Sequence, residues 1–370
     1  DNVESRGLGD VYKRQANRLP DPVLQQVEHF NNPGITANDA FRPVTRYFDR
    51  ITRPEQIIQS FPNAVQTMLD PADCGPACIS LCQDIQGQTF EYPEEFFKER
   101  IHSIRRPRPD DFQIKEAAEK IKKSKNPIII SGGGVFYSNA MEELSNFATK
   151  HNIPVTQTVM GYSTMKRDHS HYAGQIGGLG GKNTNDLAKE TDLAIAVGTK
   201  LADFTTGSWA NFENEKFKLV SVNVSRFDAN KHLAQAVVGD AKVSLIELSK
   251  ALGDWKLGDE WNEKSQRELK IWNEHIDKES APTNQEVPSY VQVIGAIYRN
   301  SEPTDIAVTA AGGLVGEVVQ VWRPKELNTH ESEWGFSCMS YEISGALGIK
   351  MANPDTVSYT HLTLPTSLIV

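Results

Sequence analysis

Short apolar runs alternate with helical patterns between residues 110 and 255, and this alternation restricts the fold more than any other feature. The runs Pro127–Ser131, Asp192–Gly198 and Leu219–Val224 are of strand length and almost unbroken by polar residues. Strands without a polar face belong to parallel sheets that are buried on both sides. The segments between them carry apolar residues at helical spacing. The sequence therefore predicts an α/β fold, with a parallel sheet covered by helices.

The individual elements of this region follow from the same spacing. Asp110 or Asp111 is expected to cap the first helix, because an aspartate side chain accepts hydrogen bonds from the free N–H groups of a first turn. A strand is also expected at Ile153–Thr156. The residues that define the predicted helices are Ile114, Ala117, Ala118 and Ile121; Met141, Leu144 and Ala148; Asn183–Glu190; and Leu245, Leu248 and Leu252.

Outside this region the pattern is less regular. A helix is expected to begin at Arg53-Pro54-Glu55, since proline is favoured in a first helical turn, and a strand buried on both faces is expected through Cys78. Residues 90–109 indicate a linker, and the charged stretch Asp254–Ser280 predicts an exposed connecting helix. A second α/β unit is then expected, with a helix along Val287–Ile297, a strand at Asp305–Thr309, and a helix through Val318, Val319 and Trp322 that begins at Gly312-Gly313.

Charge and composition exclude several classes of protein. The 370 residues carry a formal net charge of −9, whereas nucleic-acid binders need a basic surface. No apolar run reaches the roughly 18–20 residues that span a bilayer, and residues 1–15 lack the apolar core of a secretory signal. We therefore expect a cytoplasmic protein with no nucleic-acid or membrane partner. Cys74, Cys78 and Cys82 lack a Cys-x2-Cys pair, so we interpret them as structural thiols.

Three glycine-rich loops are candidate phosphate sites. Gly132-Gly133-Gly134 follows a strand but lacks the spacing and the acidic partner of a dinucleotide fingerprint, and Gly177–Gly181 has no predicted strand directly before it. We interpret both as places where backbones approach closely. Ala311-Gly312-Gly313-Leu314 is better placed, at the carboxyl end of a predicted strand, where open α/β sheets bind ligands. A tight turn explains this third loop equally well.

His169-Ser170-His171 places two imidazoles at alternate positions, which suits a metal ion shared on a strand. No cluster of Cys, Asp or Glu at ligand spacing accompanies them, so we predict no metal site there. The sequence also contains no Gly-x-Ser-x-Gly, His-Glu-x-x-His or P-loop motif, which leaves hydrolase triads, zincins and P-loop NTPases without support.

The run Trp334–Gly348 carries the most specific motif in the chain. A turn of small residues ends at Met339, and a helix follows that carries Gly345, Ala346 and Gly348, which we expect to pack closely. This run resembles the segment opposite the aminopyrimidine ring in enzymes that depend on thiamine diphosphate, the family that includes acetolactate synthase.

The resemblance extends over about residues 16–355. Gly75–Leu81 is similar to the last strand of the family's first domain, and Leu193–Leu201 to a strand and turn of its central domain. It implies three α/β domains in the order pyrimidine-binding, central and diphosphate-binding. On that basis the chain divides into a non-native flank (1–15), the end of the pyrimidine-binding domain with a linker (16–105), a complete central domain (106–255), a linker helix (256–286), the start of the diphosphate-binding domain (287–355) and a second non-native flank (356–370).

Four segments resemble one branch of the family. Its members hydrolyse a ring C–C bond of a trihydroxylated cyclohexanedione in inositol breakdown and release an open-chain deoxy-uronic acid. The segments are Leu19–Glu28, Phe41–Arg50, Asp203–Ser208 and Gly335–Glu342. Two alternatives remain: an acetolactate synthase or another enzyme acting on 2-keto acids, and, from a different class, a nucleotide-binding module built on the central domain.

The resemblance also implies roles for particular residues. The Ser337 carbonyl would accept a hydrogen bond from the cofactor's amino group, and the Met339 N–H would donate one to its ring. The Met339 side chain would hold the cofactor bent, which brings its amino group to the carbon that becomes the nucleophile. The residues assigned to the cofactor are Gly312, Gly313 and Leu314 near the diphosphate, and Ser337, Cys338 and Met339 against the aminopyrimidine ring.

No residue is assigned to catalysis or to the metal. The family's catalytic glutamate, and the Asp and Asn that hold Mg²⁺, have no match in residues 16–355, so we expect a chain truncated at both ends. Such a chain is expected to bind neither thiamine diphosphate nor Mg²⁺ alone and to be inactive by itself. The family's active site forms between two copies of the subunit, which makes a second copy the expected partner.

Overall fold

The computed structural model describes residues 17–18, 23–24, 31–32, 35–310, 312–355 and 358–360. Two compact units meet in the sequence at Arg105 and Arg106. The elements of the first unit are β1 (Asn17–Arg18), β2 (Val23–Leu24), a 3-10 helix (Ala37–Val44), β3 (Tyr47–Ile51), a 3-10 turn (Pro54–Gln56), α1 (Ile57–Met68), β4 (Ala77–Leu81), α2 (Gln83–Gln86) and a 3-10 turn (Glu94–Phe97). Residues 1–15, expected to be foreign to the fold, lie outside the described residues, as does most of Leu19–Glu28.

The first unit contains two small sheets. Strands β1 and β2 pair antiparallel, and β3 and β4 pair in parallel. Helix α1 follows the turn that Pro54 opens, which confirms the helix predicted there. The strand through Cys78 is also present, but the prediction that both its faces are buried was wrong. Within the described part of this unit β4 has one paired neighbour, β3, and Cys78 is only half-buried.

The second unit carries the regular α/β pattern. Its elements are α3 (Asp111–Lys123), β5 (Pro127–Ser131), α4 (Gly133–Tyr137), α5 (Met141–His151), β6 (Val155–Gln157), a 3-10 turn (Val159–Gly161), β7 (Tyr172–Gln175), α6 (Lys182–Glu190), β8 (Leu193–Val197), α7 (Asp203–Thr206), β9 (Lys218–Asn223), α8 (Arg226–Asn230), a 3-10 turn (Lys231–Leu233), β10 (Gln235–Val238), α9 (Ala241–Leu252), α10 (Asp259–Glu279), α11 (Tyr290–Arg299), β11 (Ile306–Thr309), α12 (Leu314–Val321), β12 (His330–Ser332), α13 (Tyr341–Ala352) and β13 (Ser358–Thr360).

Six parallel strands form the main sheet, in the order β10-β9-β8-β5-β6-β7. Ile129, Ile195 and Val220 stand in one row across three strands and are fully buried. They belong to the hydrophobic cluster on one face, while Ile128 and Ile130 belong to the cluster on the other. This arrangement confirms the predicted α/β fold with a parallel sheet buried on both sides. Asp110 caps α3, since its Oδ1 accepts the Phe112 N–H at 2.9 Å.

Helices cover both edges of this sheet. The sequence did not predict the two edge strands, β7 and β10. Gln266 on α10 donates a hydrogen bond to the Tyr172 carbonyl of β7 (2.9 Å), and Gln113 on α3 accepts one from the Val238 N–H of β10 (2.9 Å). Such side chains take up backbone groups that an edge strand leaves unpaired. The helix predicted within Asp254–Ser280 is present as α10, but the prediction that it is exposed was wrong, because one face of it buries Trp261, Ser265, Leu269 and Ile276.

A three-stranded parallel sheet, β12-β11-β13, carries α11, α12 and α13. The strand β11 and the helices α11 and α12 were predicted from the sequence and are present in this part of the chain. Ser358–Thr360 pairs with Ile306–Val308 as a parallel strand, in a segment where no continuation of the fold was expected. Residues 356–357 and 361–370 lie outside the described residues.

One tyrosine joins the two sheets of this unit. The Tyr162 hydroxyl, in the loop after β6, lies 2.8 Å from the carbonyl oxygen of Val319 and 2.7 Å from that of Trp322, at the C-terminal end of α12. Burial raises the pKa of this phenol well above its usual value, so the hydroxyl remains a donor. Among the described helices, none is both long and apolar enough to cross a membrane.

Replacing Ile195 by aspartate is expected to destabilise the second unit severely. Ile195 is 0% exposed, and a carboxylate there would have no partner on either face of the sheet. We expect a loss of more than ~4 kcal/mol in the free energy of unfolding, measured by urea denaturation. Ile271→Asp is the matched control, because Ile271 is 61% exposed on α10. Similar stability of the two variants would contradict the assignment of β8 to the centre of the sheet.

Candidate functional site

The turn between β12 and α13 holds the residues that the sequence assigned to the aminopyrimidine ring. Glu333 lies at the start of the turn, and its carboxylate accepts the N–H of Phe336 (2.8 Å) and the N–H of Cys338. The backbone N–H groups of Phe336, Cys338 and Gly335 lower the pKa of Glu333, against a smaller opposing effect of burial. The carboxylate is therefore ionised at neutral pH and acts only as an acceptor.

The same turn contains two residues in the left-handed region. Ser337 has φ +52° and Ser340 has φ +74°, and a residue with a Cβ pays roughly 1–2 kcal/mol for that conformation. Hydrogen bonds to a charged acceptor contribute about 1.5–3 kcal/mol each. Because Glu333 binds the N–H groups on either side of Ser337, its carboxylate offsets part of the strain at that residue. The sequence alone did not indicate this role, because no local pattern shows where a glutamate side chain will meet backbone N–H groups.

The backbone groups assigned to the cofactor are unengaged. Within the described part of the chain, neither the Ser337 carbonyl nor the Met339 N–H has a hydrogen-bond partner, although neighbouring N–H groups are bound by Glu333. The turn is exposed, with Met339 at 76% and Phe336 at 86%. The turn thus presents one free acceptor and one free donor, two residues apart.

Helix α13 follows this turn and buries only part of its surface. Glu342 and Ala346 are buried. Among the described residues, a Cβ at Gly348 would meet nothing within 4 Å, whereas the nearest atoms to one at Gly345 belong to the Tyr341 ring of the same helix, the closest at 2.9 Å. The expected close packing is therefore wrong for Gly348, which is exposed, while Ala346 is buried and Gly345 is half-buried.

The loop before α12 differs from the other two glycine loops. Gly312 has φ +119°, a conformation that side chains rarely adopt, and a Cβ at Gly313 would meet no atom within 4 Å. Packing inside this unit therefore does not explain Gly313, and the space above the first turn of α12 is open. Leu314 begins α12 and is half-buried, with its side chain packed against the core around β11. Ala311 lies outside the described residues.

The other two glycine loops are explained by packing. A Cβ at Gly134 would lie 2.6 Å from the Cα of Gly198, and one at Gly177 would collide with the carbonyl oxygen of Phe204. These contacts confirm the interpretation as close backbone approach. The structure corrects one detail, since strand β7 ends at Gln175, directly before the loop Gly177–Gly181.

The ring nitrogens of His169 and His171 take part in hydrogen bonds within the protein. The two histidines lie in a turn before β7, not on a strand. The Nε2 of His171 donates to Asn152 Oδ1 (2.9 Å), and its Nδ1 lies 3.0 Å from the Ser170 hydroxyl, so both ring nitrogens are engaged. Burial, with the charges of His169 and Lys256, lowers the pKa of His171 to about 4. Across the described ranges, no group of three or more His, Cys, Asp and Glu side chains is placed to hold a metal ion.

A cleft lies where the carboxyl edges of the two sheets approach each other. Phe136 and Tyr137 of α4 and Met160 of the turn after β6 line one side of it, and Glu331 and Ser332 of β12 line the other. Burial raises the pKa of Glu331, while the Tyr341 hydroxyl, which donates to its carboxylate at 3.4 Å, opposes the shift. Glu331, an acid of raised pKa, therefore lines the cleft two residues before Glu333, where the turn begins.

An aromatic contact joins the same turn to the main sheet. The ring of Trp334 stands edge-on to that of Phe204, with 5.1 Å between centroids. Phe204 belongs to α7 in the loop after β8, so the segment Asp203–Ser208 singled out in the sequence lies beside the turn.

Gly134→Ala and Gly313→Ala are expected to separate packing from ligand approach. The first places a methyl group against the Gly198 backbone and should cost ~1–3 kcal/mol of stability. The second enters open space and should change stability by less than about 0.5 kcal/mol. Thermal unfolding of both variants tests this difference, and a large loss of stability in Gly313→Ala would show that the loop before α12 is a packing feature.

Comparisons with known proteins agree with this geometry. Residues 114–248 match the family model described as thiamine pyrophosphate enzyme, central domain; thiamine pyrophosphate is thiamine diphosphate. The chain is 39% identical to a 3D-(3,5/4)-trihydroxycyclohexane-1,2-dione hydrolase of Clostridium perfringens over 93% of its own length and 58% of the relative's. For the proteins of that name in Clostridium botulinum and Geobacillus thermodenitrificans, the identities are 40% and 39%, over 94% and 95% of this chain and 58% and 57% of theirs.

The chain thus spans somewhat more than half the length of these relatives. The match at residues 114–248 lies on the six-stranded sheet and its helices. Residues 114–248 therefore form the central domain of the thiamine pyrophosphate enzyme family, and the chain as a whole is similar to members of that family.

Proposed function

We propose that this sequence works, within a protein of its relatives' length, as a thiamine-diphosphate-dependent hydrolase of a ring C–C bond. The substrate is trihydroxycyclohexane-1,2-dione, which opens to 5-deoxy-glucuronate in inositol breakdown. The observation that carries the proposal is the identity of about 39% over 93% of the chain to relatives named for this activity. The four free cysteines suit a reducing compartment, and we propose a cytoplasmic location.

The exposed turn supports the binding of the cofactor. The Ser337 carbonyl would accept the cofactor's amino group, the Met339 N–H would donate to its ring, and the Met339 side chain would stand under the bent molecule. Gly312 and Gly313 leave open space at the start of α12, where backbone N–H groups favour a diphosphate. When bound, thiamine diphosphate supplies the carbon nucleophile that attacks a ketone.

Magnesium is proposed to accompany the diphosphate, because several negative charges at one site need a cation. No cluster of metal-binding side chains exists among the residues described here, so we propose that its ligands come from sequence beyond residue 355. The chain alone would then bind the cofactor weakly. A few backbone hydrogen bonds at ~1 kcal/mol each do not offset the entropy lost on association.

A second copy of the subunit is proposed to cover the turn and α13. Exposed apolar side chains follow one line from the turn along the helix, and contiguous apolar surface of this kind marks interaction sites. These side chains are Phe336, Met339, Ile343, Leu347 and Met351. Because Met339 is one of them, the surface that covers the helix would also close the cofactor site.

Turnover assays on a protein of the relatives' full length test the substrate. We expect opening of the cyclic dione that depends on thiamine diphosphate and Mg²⁺, and no formation of acetolactate from pyruvate. Turnover of pyruvate without turnover of the dione would favour an enzyme acting on 2-keto acids. A yellow protein that binds flavin and turns over neither compound would favour the nucleotide-binding alternative.

In the same protein, Met339→Ala should lower turnover more than it weakens cofactor binding. The side chain shapes the bound cofactor, whereas diphosphate and metal provide most of the attachment. We expect kcat to fall at least ~10-fold, which is ~1.4 kcal/mol in the barrier, with a smaller change in cofactor affinity by calorimetry. Met68→Ala, a half-exposed methionine of α1, is the control and should change neither. Equal losses in both quantities would indicate that Met339 serves only for packing.

A further inference from the structure

We propose that Glu333 is a positioning residue for the cofactor: its carboxylate fixes the turn so that the Ser337 carbonyl and the Met339 N–H remain available for the aminopyrimidine ring. The proposal rests on the function proposed above, because it assigns the cofactor to this turn. It goes further in naming the side chain that makes the turn competent.

A hydrogen bond to the sheet fixes the backbone of Glu333. Its N–H donates to the Thr309 carbonyl (3.2 Å), which continues the pairing of β12 with β11 by one residue. The side chain then reaches forward to the N–H groups of Phe336 and Cys338. One residue therefore connects the sheet to the turn, and it does so through an acceptor with two oxygens.

Some backbone N–H groups of the turn are bound by Glu333 and one is left free, which supports the positioning role of Glu333. Glu333 binds the N–H groups of Phe336 and Cys338, and the described structure leaves the N–H of Met339 without a partner. If the carboxylate were absent, two further N–H groups would face solvent and compete with that of Met339 for any acceptor. The left-handed conformation of Ser337, which lies between these two N–H groups, would also lose the contacts that flank it.

Neighbouring acidic residues do not duplicate this contact. Glu331, two residues earlier, interacts with the Tyr341 hydroxyl and the backbone of Ser332. Glu342 is buried on α13. Among the described residues, Glu333 is the acidic residue whose carboxylate accepts hydrogen bonds from the N–H groups of Phe336 and Cys338.

Hydrogen exchange on the chain itself tests the contact. In Glu333→Ala we expect the N–H groups of Phe336 and Cys338 to exchange at least ~10-fold faster, with unchanged protection in β11 and α13. In Glu333→Gln we expect exchange rates at these N–H groups between those of the unaltered chain and those of Glu333→Ala. The amide keeps one acceptor oxygen and turns an N–H toward the second backbone donor. Glu286→Gln, an exposed residue of the loop before α11, is the control and should leave the turn unaffected.

Cofactor kinetics in a protein of the relatives' full length test the role. A turn that is competent in only a tenth of the molecules lowers the apparent affinity ~10-fold. We therefore expect KM for thiamine diphosphate to rise about 10-fold in Glu333→Ala, with partial rescue in Glu333→Gln and a smaller change in kcat at saturating cofactor. A merely structural role would instead lower the amount of active enzyme and leave KM unchanged.

The outcomes separate this proposal from the proposed function. Unchanged exchange at Phe336 and Cys338, or faster exchange without a change in KM, would overturn the role of Glu333. Failure of the unaltered protein to open the dione would overturn the substrate only. The cofactor comparison would then be made by calorimetry with thiamine diphosphate and Mg²⁺, where an approximately 10-fold weaker affinity of Glu333→Ala supports the proposal and an equal affinity rejects it.

Discussion

The arrangement of the second unit depends on the contact between Tyr162 and the end of α12. The phenol hydroxyl meets two carbonyl oxygens that the last turn of a helix leaves without an internal partner. Tyr162 follows β6 of the main sheet, while α12 follows β11 of the second sheet. The eight residues of α12 span roughly 12 Å. A hydrogen bond at the C-terminal end of this short helix therefore also fixes its N-terminal end, where Gly312 and Gly313 stand.

The sequence predicted the interior of the main sheet well and its edges poorly, for a physical reason. Strands β5, β8 and β9 have neighbours on both sides and helices on both faces, so selection for burial leaves an unbroken apolar run. Strands β7 and β10 have one neighbour each. Tyr172–Gln175 contains a glycine and a glutamine, and its pairing is completed by a side chain from α10. Such an edge is specified by distant contacts, which no local pattern reveals.

The candidate site was predictable only where its chemistry needs small residues or a known motif. The run from Trp334 to Gly348 indicated where the cofactor would contact the chain, and the loop at Gly312 indicated open space. Glu333 gave no signal, because any exposed glutamate before a turn looks the same in sequence. The groups of Ser337 and Met339 that we propose to bind the cofactor belong to the backbone, so their availability depends on the conformation and not on the residue type.

Serine at two left-handed positions is the least expected choice in this turn. Glycine would adopt both conformations without strain, but it would also leave them as easily, because it has the largest conformational freedom when unbound. Serine narrows the unbound ensemble, and at Ser337 the hydrogen bonds of Glu333 to the residues on either side favour the strained form. The backbone preference of serine and the conformation of these two serines therefore disagree in the turn that we propose to bind the cofactor. Natural sequences break such local rules mainly at functional sites, where contacts elsewhere hold the strained form.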